Sequence, residues 1–343
     1  MKSTVRPMCL LARICVVAST LALAACASTP QTDALLAMQM DGARSVELTA
    51  VPFFPQTAYQ CGPAALSTML AAAGEDVAPD DLVSQVYLPG REGSLQFELM
   101  AAARLRGFVP YVLAPQLDTV LDEVRAGNPV LVLQNVGLDW HPQWHFAVVV
   151  GFDLSAGEMI LRSGEEARHV IPLRLFERTW KRGGHWAMVV MPPDRLPRTA
   201  QSRTYTRAIV ELERLGRLRE AAIAYEAALA RWPDDVVAGI GLGNSLYALG
   251  DLPGAESAYR RVAQRHPELG VAFNNLAQVL ADRGRLREAE EFARRAVELG
   301  GPMRERFEET LEWILADARR SPATGHLRSP DTAPVPGETY RDT

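Results

Sequence analysis

A period of 34 residues runs through the second half of the chain and constrains its fold more than any other feature. Gly216, Gly250 and Gly284 recur at that spacing, as do Ala221, Ala255 and Ala289. Tyr225 matches Tyr259, Ala228 matches Val262 and Ala296, and Pro233 matches Pro267. The six residues from Gly216 to Ala221 return unchanged as Gly284 to Ala289. Glycine between two amphipathic stretches, with small alanine where they cross, predicts a helical hairpin. Such a unit cannot bury its apolar face alone and does so by stacking on the next copy. This half of the chain is therefore a row of hairpins.

The period, the turn glycine, the crossing alanine, the aromatic four residues later and the closing proline resemble the tetratricopeptide repeat. The resemblance covers 202–303 as three repeats, the first and last degenerate, with Arg304 to Arg319 as a capping helix. It implies an all-α solenoid over 202–319 that recruits a protein partner or substrate. Residues 320–343, rich in Pro, Ser, Thr and charge, read as a disordered tail. Upstream, the period stops at a linker from Pro192-Pro193 to Pro197.

The other end of the chain reads as a targeting segment. Lys2, Arg6 and Arg13 precede an apolar run from Ile14 to Ala25 that is too short to span a bilayer. Residues 1–25 are thus a signal peptide. Leu23-Ala24-Ala25-Cys26 resembles the lipobox of bacterial lipoproteins. That resemblance implies cleavage before Cys26, lipidation of its thiol and anchoring in the cell envelope. Ala27 and Ser28 follow where an Asp would signal inner-membrane retention, which implies the outer membrane, facing the periplasm. Residues 26–45 read as a tether. Removing 1–25 takes three positive charges from a net -5 and leaves -8. Such a balance argues against nucleic acid as a partner, since phosphate contacts need a basic surface. Cys9 and Cys15 leave with the signal and Cys26 is acylated, so Cys61 remains as the lone free thiol of an exported chain.

Between tether and linker, 46–195 reads as an α+β domain. Gly62-Pro63 opens an Ala/Leu-rich helix running to Gly74, with proline where the first turn tolerates it. Helices follow at Leu95–Arg106 and Leu117–Arg125. Strands follow at Pro129–Val136, Trp144–Phe152, Glu158–Arg162 and Trp186–Met191, each short, apolar and bounded by turn residues.

The chemistry concentrates around Gln56-Thr57-Ala58-Tyr59-Gln60-Cys61-Gly62-Pro63-Ala64. A thiol attacks as the thiolate, and a helix N-terminus favours that anion through its unpaired N–H groups and dipole. Gln56 can donate its side-chain amide to a developing oxyanion beside the Cys61 backbone N–H; Gln60 is the alternative. A base is also required. Of His141, His145, His169, His185, His266 and His326, His145 opens the strand His145-Phe146-Ala147-Val148-Val149-Val150-Gly151-Phe152-Asp153, a rigid mount facing a helix-borne thiol. His141, in the preceding loop, is its rival. Trp140, Trp144, Trp180 and Trp186 read as packing, with Trp144 a candidate cleft wall. No His/Cys/Asp cluster has metal-ligand spacing, and the chemistry calls for no cofactor.

The Gln-x4-Cys-Gly-Pro-Ala and His-Phe-Ala-Val-Val-Val-Gly-Phe-Asp segments resemble the papain-like cysteine peptidases that process bacteriocin precursors after a double-glycine leader. The resemblance covers about 46–195 and implies Cys61 as nucleophile, His145 as base and Gln56 as oxyanion-hole donor. In that family an acid on the next strand orients the histidine. Here the stretch is Ile160-Leu161-Arg162-Ser163-Gly164, which leaves Ser163, or Glu165 reaching back, as the third member. Two functions follow: a peptidase cleaving a peptide or amide bond, or an inactive peptidase-like domain acting with the repeats as a scaffold.

Overall fold

The computed structural model describes residues 28–37, 42–56 and 60–320. Cys26, the signal segment and the tail beyond 320 lie outside the described residues, and with them the expectations of lipidation and disorder. In chain order the elements are α1 (Pro30–Ala37), β1 (Ser45–Glu47), α2 (Cys61–Ala73), α3 (Pro79–Val86), α4 (Gln96–Leu105), β2 (Val109–Val112), α5 (Leu117–Arg125) and β3 (Val130–Asn135). They continue as β4 (Trp144–Asp153), β5 (Glu158–Ser163), β6 (Glu166–Pro172), α6 (Leu173–Arg182) and β7 (Ala187–Met191). The helices α7 (Ser202–Arg214), α8 (Leu218–Arg231), α9 (Val236–Ala248), α10 (Leu252–Arg265), α11 (Gly270–Asp282), α12 (Leu286–Leu299) and α13 (Arg304–Arg320) complete the elements among the described residues.

The seven-stranded sheet has the order β2-β7-β3-β4-β5-β6, with β1 pairing β4. Its central strands β3 and β4 are antiparallel, in a register that sets Gln134 opposite His145. Their residues alternate little in polarity because both faces are covered: Val130 to Leu133 and Phe146 to Val150 are all buried. The β4–β5 pairing aligns Val148 with Arg162 and contains a bulge between Val149 and Gly151. Helix α2 is apolar around its whole circumference and accordingly buried from Gly62 to Leu70. Full burial of Leu66, Met69 and Leu70 contributes about 1.5–3 kcal/mol each before the entropy of ordering is subtracted.

The chain divides into two compact units, residues 1–72 with 112–188 and residues 73–111 with 189–343. The sequence places 73–111 with the α+β domain, yet its contacts group it with the repeats. Within that unit Gln201 N donates to Tyr111 Oη at 3.1 Å, and the Tyr111 and Tyr205 rings meet at 6.1 Å.

The segment read as a tether is partly structured. Helix α1 lies inside 26–45 and is docked on the first unit. The Glu177 carboxylate accepts the N–H groups of Gln31 and Thr32 at 3.1 and 2.7 Å, replacing the hydrogen bonds a helix N-terminus lacks. Gln31 Oε1 accepts the N–H of Leu117 at 2.6 Å, and Leu35 is 4% exposed. These partners stand more than 80 residues away in sequence, so nothing local announces them.

In the repeats, α7/α8, α9/α10 and α11/α12 are the three hairpins, and α13 follows as the expected cap. Gly216, Gly250 and Gly284 take φ of 73°, 80° and 74° at the helix–helix turns, a left-handed region that glycine enters without steric cost. Ala221, Ala255 and Ala289 are fully buried at the crossings. Tyr225 and Tyr259 are also fully buried, and their hydroxyls donate to Glu213 Oε2 at 2.8 Å and Asn244 Oδ1 at 2.7 Å.

Candidate active site

Cys61 occupies the first turn of α2, where Gln60 O accepts from Ala64 N at 3.2 Å. The residue is half-buried. Its sulfur faces the backbone N–H groups of Phe146, Gly62 and Cys61 itself. The Phe146 contact brings the thiol against β4, at the residue following His145. Burial outweighs those donors and pushes the thiol above its ordinary value. The helix terminus therefore does not establish a resting thiolate, contrary to what its position alone predicts.

His145 is half-buried at the start of β4, and its Nε2 lies 2.8 Å from Ser163 Oγ. Ser163 thus stands where the family pattern expects an acid, while Glu165 is exposed in the turn between β5 and β6. Burial, and secondarily the charge of His169, hold the imidazole below its ordinary value. Burial thus favours the neutral form of both groups. With Nε2 engaged, Nδ1 is the ring nitrogen left for a thiol proton.

Gln56 reaches the same cluster through its backbone, its N–H donating to Gly164 O at 3.0 Å. That bond ties the strand leading to the nucleophile onto the residue after Ser163. The Gln56 amide makes no hydrogen bond among the described residues, and residues 57–59 lie outside them. His141 is exposed in the β3–β4 hairpin, where it stacks loosely with Trp140. It does not enter the site. Trp180 is a core residue, whereas Trp140 and Trp144 are 81% and 57% exposed, which the reading as packing does not anticipate.

Arg162 is a residue that sequence reasoning missed. Although it is 8% exposed, it donates to Val51 O at 3.1 Å from Nη2 and 3.3 Å from Nε, and to Ala167 O. It thereby fixes the extended chain on its way to Gln56. A lone cation inside Met-Ile-Leu-Arg is the signal that could have revealed it, since a buried charge must find partners. The Phe146 N–H, a backbone group, has no sequence signal at all.

Among the described residues no group of three or more His, Cys, Asp or Glu is placed to hold a metal ion. No helix there is long and apolar enough to cross a membrane. A pocket of about 70 Å³ lies in the repeats, lined by Leu229, Val236, Val262, Arg261 and His266 among others, and contains none of the residues around the thiol.

An α+β domain with a thiol on a helix turn that meets a sheet strand at the residue after its histidine, followed by stacked helical hairpins, defines a cysteine-peptidase-like domain joined to a helical-repeat array. Residues 48–188 match the Peptidase_C39 like family, and residues 206–269 and 240–303 match the tetratricopeptide repeat. The chain therefore carries a Peptidase_C39-like domain followed by tetratricopeptide repeats.

Among solved structures, a Bacillus anthracis protein assigned as a C39-like peptidase is 20% identical with a TM-score of 0.38, covering 47% of this chain and all of its own. The Yersinia enterocolitica type III secretion chaperone SycD, in complex with a peptide of the translocator YopD, is 23% identical with a TM-score of 0.31. That likeness covers 33% of this chain and 90% of the chaperone. SycD alone is 22% identical at a TM-score of 0.33, covering 35% and 89% of the two chains. No curated protein sequence matches the chain.

Proposed function

We propose that the chain is a cysteine peptidase, held in the bacterial cell envelope by lipid on Cys26, whose repeats recruit the substrate or a partner protein. The observation that carries this reading is the Cys61 sulfur meeting the Phe146 N–H beside a histidine already oriented by Ser163. Cys61 attacks the carbonyl carbon of a peptide or amide bond as its proton passes to His145 Nδ1. The oxyanion so formed is held by the Gln56 amide and the Cys61 backbone N–H. His145 returns the proton to the departing amine, leaving an acyl thioester. A water molecule deprotonated by His145 attacks that thioester, releasing the carboxylic acid and restoring the thiol.

Because burial favours the neutral form of both groups, His145 acts as a general base during attack rather than as half of a standing ion pair. Labelling with a peptide electrophile tests the reading. Cys61 should react about a hundredfold or more faster than glutathione, and His145→Ala should abolish the advantage.

Serine in place of the orienting acid favours a second reading, in which the domain binds without cleaving and the whole chain is a periplasmic scaffold. A serine cannot offset the charge of an imidazolium as a carboxylate does. Labelling at the rate of glutathione, unchanged by His145→Ala, would support the scaffold.

A further inference from the structure

The β3–β4 hairpin projects apolar side chains into solvent: Val136, Leu138, Trp140 and Trp144 are 49%, 55%, 81% and 57% exposed. The hairpin is built, not slack. Asn135 Oδ1 accepts the N–H groups of Gly137 and Gln143 at 3.0 and 2.9 Å. Val136 N donates to Gln143 O at 2.9 Å. The Arg182 guanidinium donates twice to Asn135 O, at 3.1 and 2.9 Å, pinning the base of the hairpin to the end of α6.

Strand alternation separates Trp144 from the His145 imidazole. His145 turns toward Ser163, so Trp144 and Phe146 face the other side of the sheet. On that side Phe146 packs edge-on against Trp186 at 5.9 Å, and the Trp180 indole of α6 donates to Trp186 O at 2.9 Å. Trp144 thus shares the sheet face that packs toward α6 and not the face of His145.

Helix α6 also receives the start of the described chain. Arg174 donates to Thr29 Oγ1 at 2.9 Å and to Asp33, and Glu177 caps α1. From Arg174 to Arg182 is eight residues, about 12 Å of helix. Cys26 precedes Thr29 by three residues, a reach of about 10 Å. A lipid on Cys26 would therefore enter its bilayer close to this face. The outer side of α6 adds Leu175, 42% exposed, together with Arg174, Arg178 and Lys181, against Asp139 at the hairpin tip. Cations on a helix tied to the base of the tryptophan-bearing hairpin fit an anionic lipid surface.

We propose that the hairpin and the outer side of α6 form a membrane-docking face, in which Trp140 and Trp144 seat at the headgroup level and Arg178 and Lys181 meet anionic lipids. The placement of the bilayer rests on lipidation of Cys26, whereas the affinity of the face does not. The test therefore uses the chain from residue 27 onward, which lacks the lipid and keeps every described residue.

That protein should cosediment with phosphatidylglycerol vesicles more than with phosphatidylcholine vesicles, with a blue shift of its tryptophan emission. The double variant Trp140→Ala/Trp144→Ala should bind at least about tenfold more weakly, and Arg178→Glu/Lys181→Glu similarly. Cys61 labelling should persist in both, which shows the fold intact and keeps this test apart from that of the peptidase reading. No vesicle binding by the parent chain, or binding indifferent to the tryptophans, would overturn the proposal. So would variants that bind vesicles normally but lose labelling by peptide electrophiles, since the hairpin would then be a substrate wall. The mass of the amino-terminal peptide reports separately on lipidation.

Discussion

Ser163 sets the character of the site. Its hydroxyl orients the His145 ring at 2.8 Å but brings no negative charge. A neutral hydrogen bond contributes about 0.5–1.5 kcal/mol, so Ser163→Ala should slow Cys61 labelling by about two- to tenfold. Ser163→Asp should raise the His145 pKa, visible in the imidazole NMR shifts, and accelerate labelling. The thiol, pushed above its ordinary value of 9.0 by burial, predicts an alkylation rate that climbs through and beyond that pH. A plateau between about pH 5 and 7, the mark of a standing ion pair, should be missing. Stability follows the same groups. His145 and His185 are held below 6.5 when folded, first by burial, so the unfolded chain binds protons more readily and stability falls as pH drops below 6.5. Cys61 is held above its ordinary value, so its contribution is present below 9.0 and is lost as pH rises further. Urea titrations across that range should show a broad optimum between these limits.

At the scale of elements, α9 shows what close packing demands. A Cβ on Gly243 would lie 2.3 Å from Tyr259 Cε1, within a fully buried ring. Alanine would gain about 1 kcal/mol of helix propensity, yet overpacking costs about 1–3 kcal/mol, and this ring has nowhere to move. Gly243→Ala should therefore lower the calorimetric Tm. The elements differ in how legible they were. Strand β4 and helix α2 declared themselves by unbroken apolar runs, and the repeats by their period, because in each case the burial that stabilises them is written locally. Strand β6 did not, since its burial runs from exposed at Glu166 to half-buried at Ile171 and its residues carry no alternation to read. Helix α1 did not either, because its caps come from α6. Of the site, Cys61, His145 and Ser163 were readable as residue types at their spacing. The donors that surround the sulfur, and the Arg162 bonds that set the approach of Gln56, depend on backbone positions and distant carbonyls.

For the whole molecule, the period change at Pro192–Pro197 suggests a cut between two modules, but the contacts of 73–111 lie with the repeats. A fragment of 46–195 would leave the Tyr111 ring, now 3% exposed, without Tyr205 and without the Gln201 N–H. Hydrogen exchange over 73–111 should rise in that fragment and its Tm should fall relative to 46–320; equal protection would show the segment self-sufficient. The capping of α1 by Glu177 bears on when this helix can form in a growing chain. An eight-residue helix is too short to persist alone, and its two capping bonds close loops of 146 and 145 residues. In a chain made from its amino terminus, α1 therefore lacks its capping partner until residue 177 has been made. Under the lipidation proposed for Cys26, an acyltransferase acting before that point would meet a segment not yet docked, and folding would fasten it to the domain only afterwards.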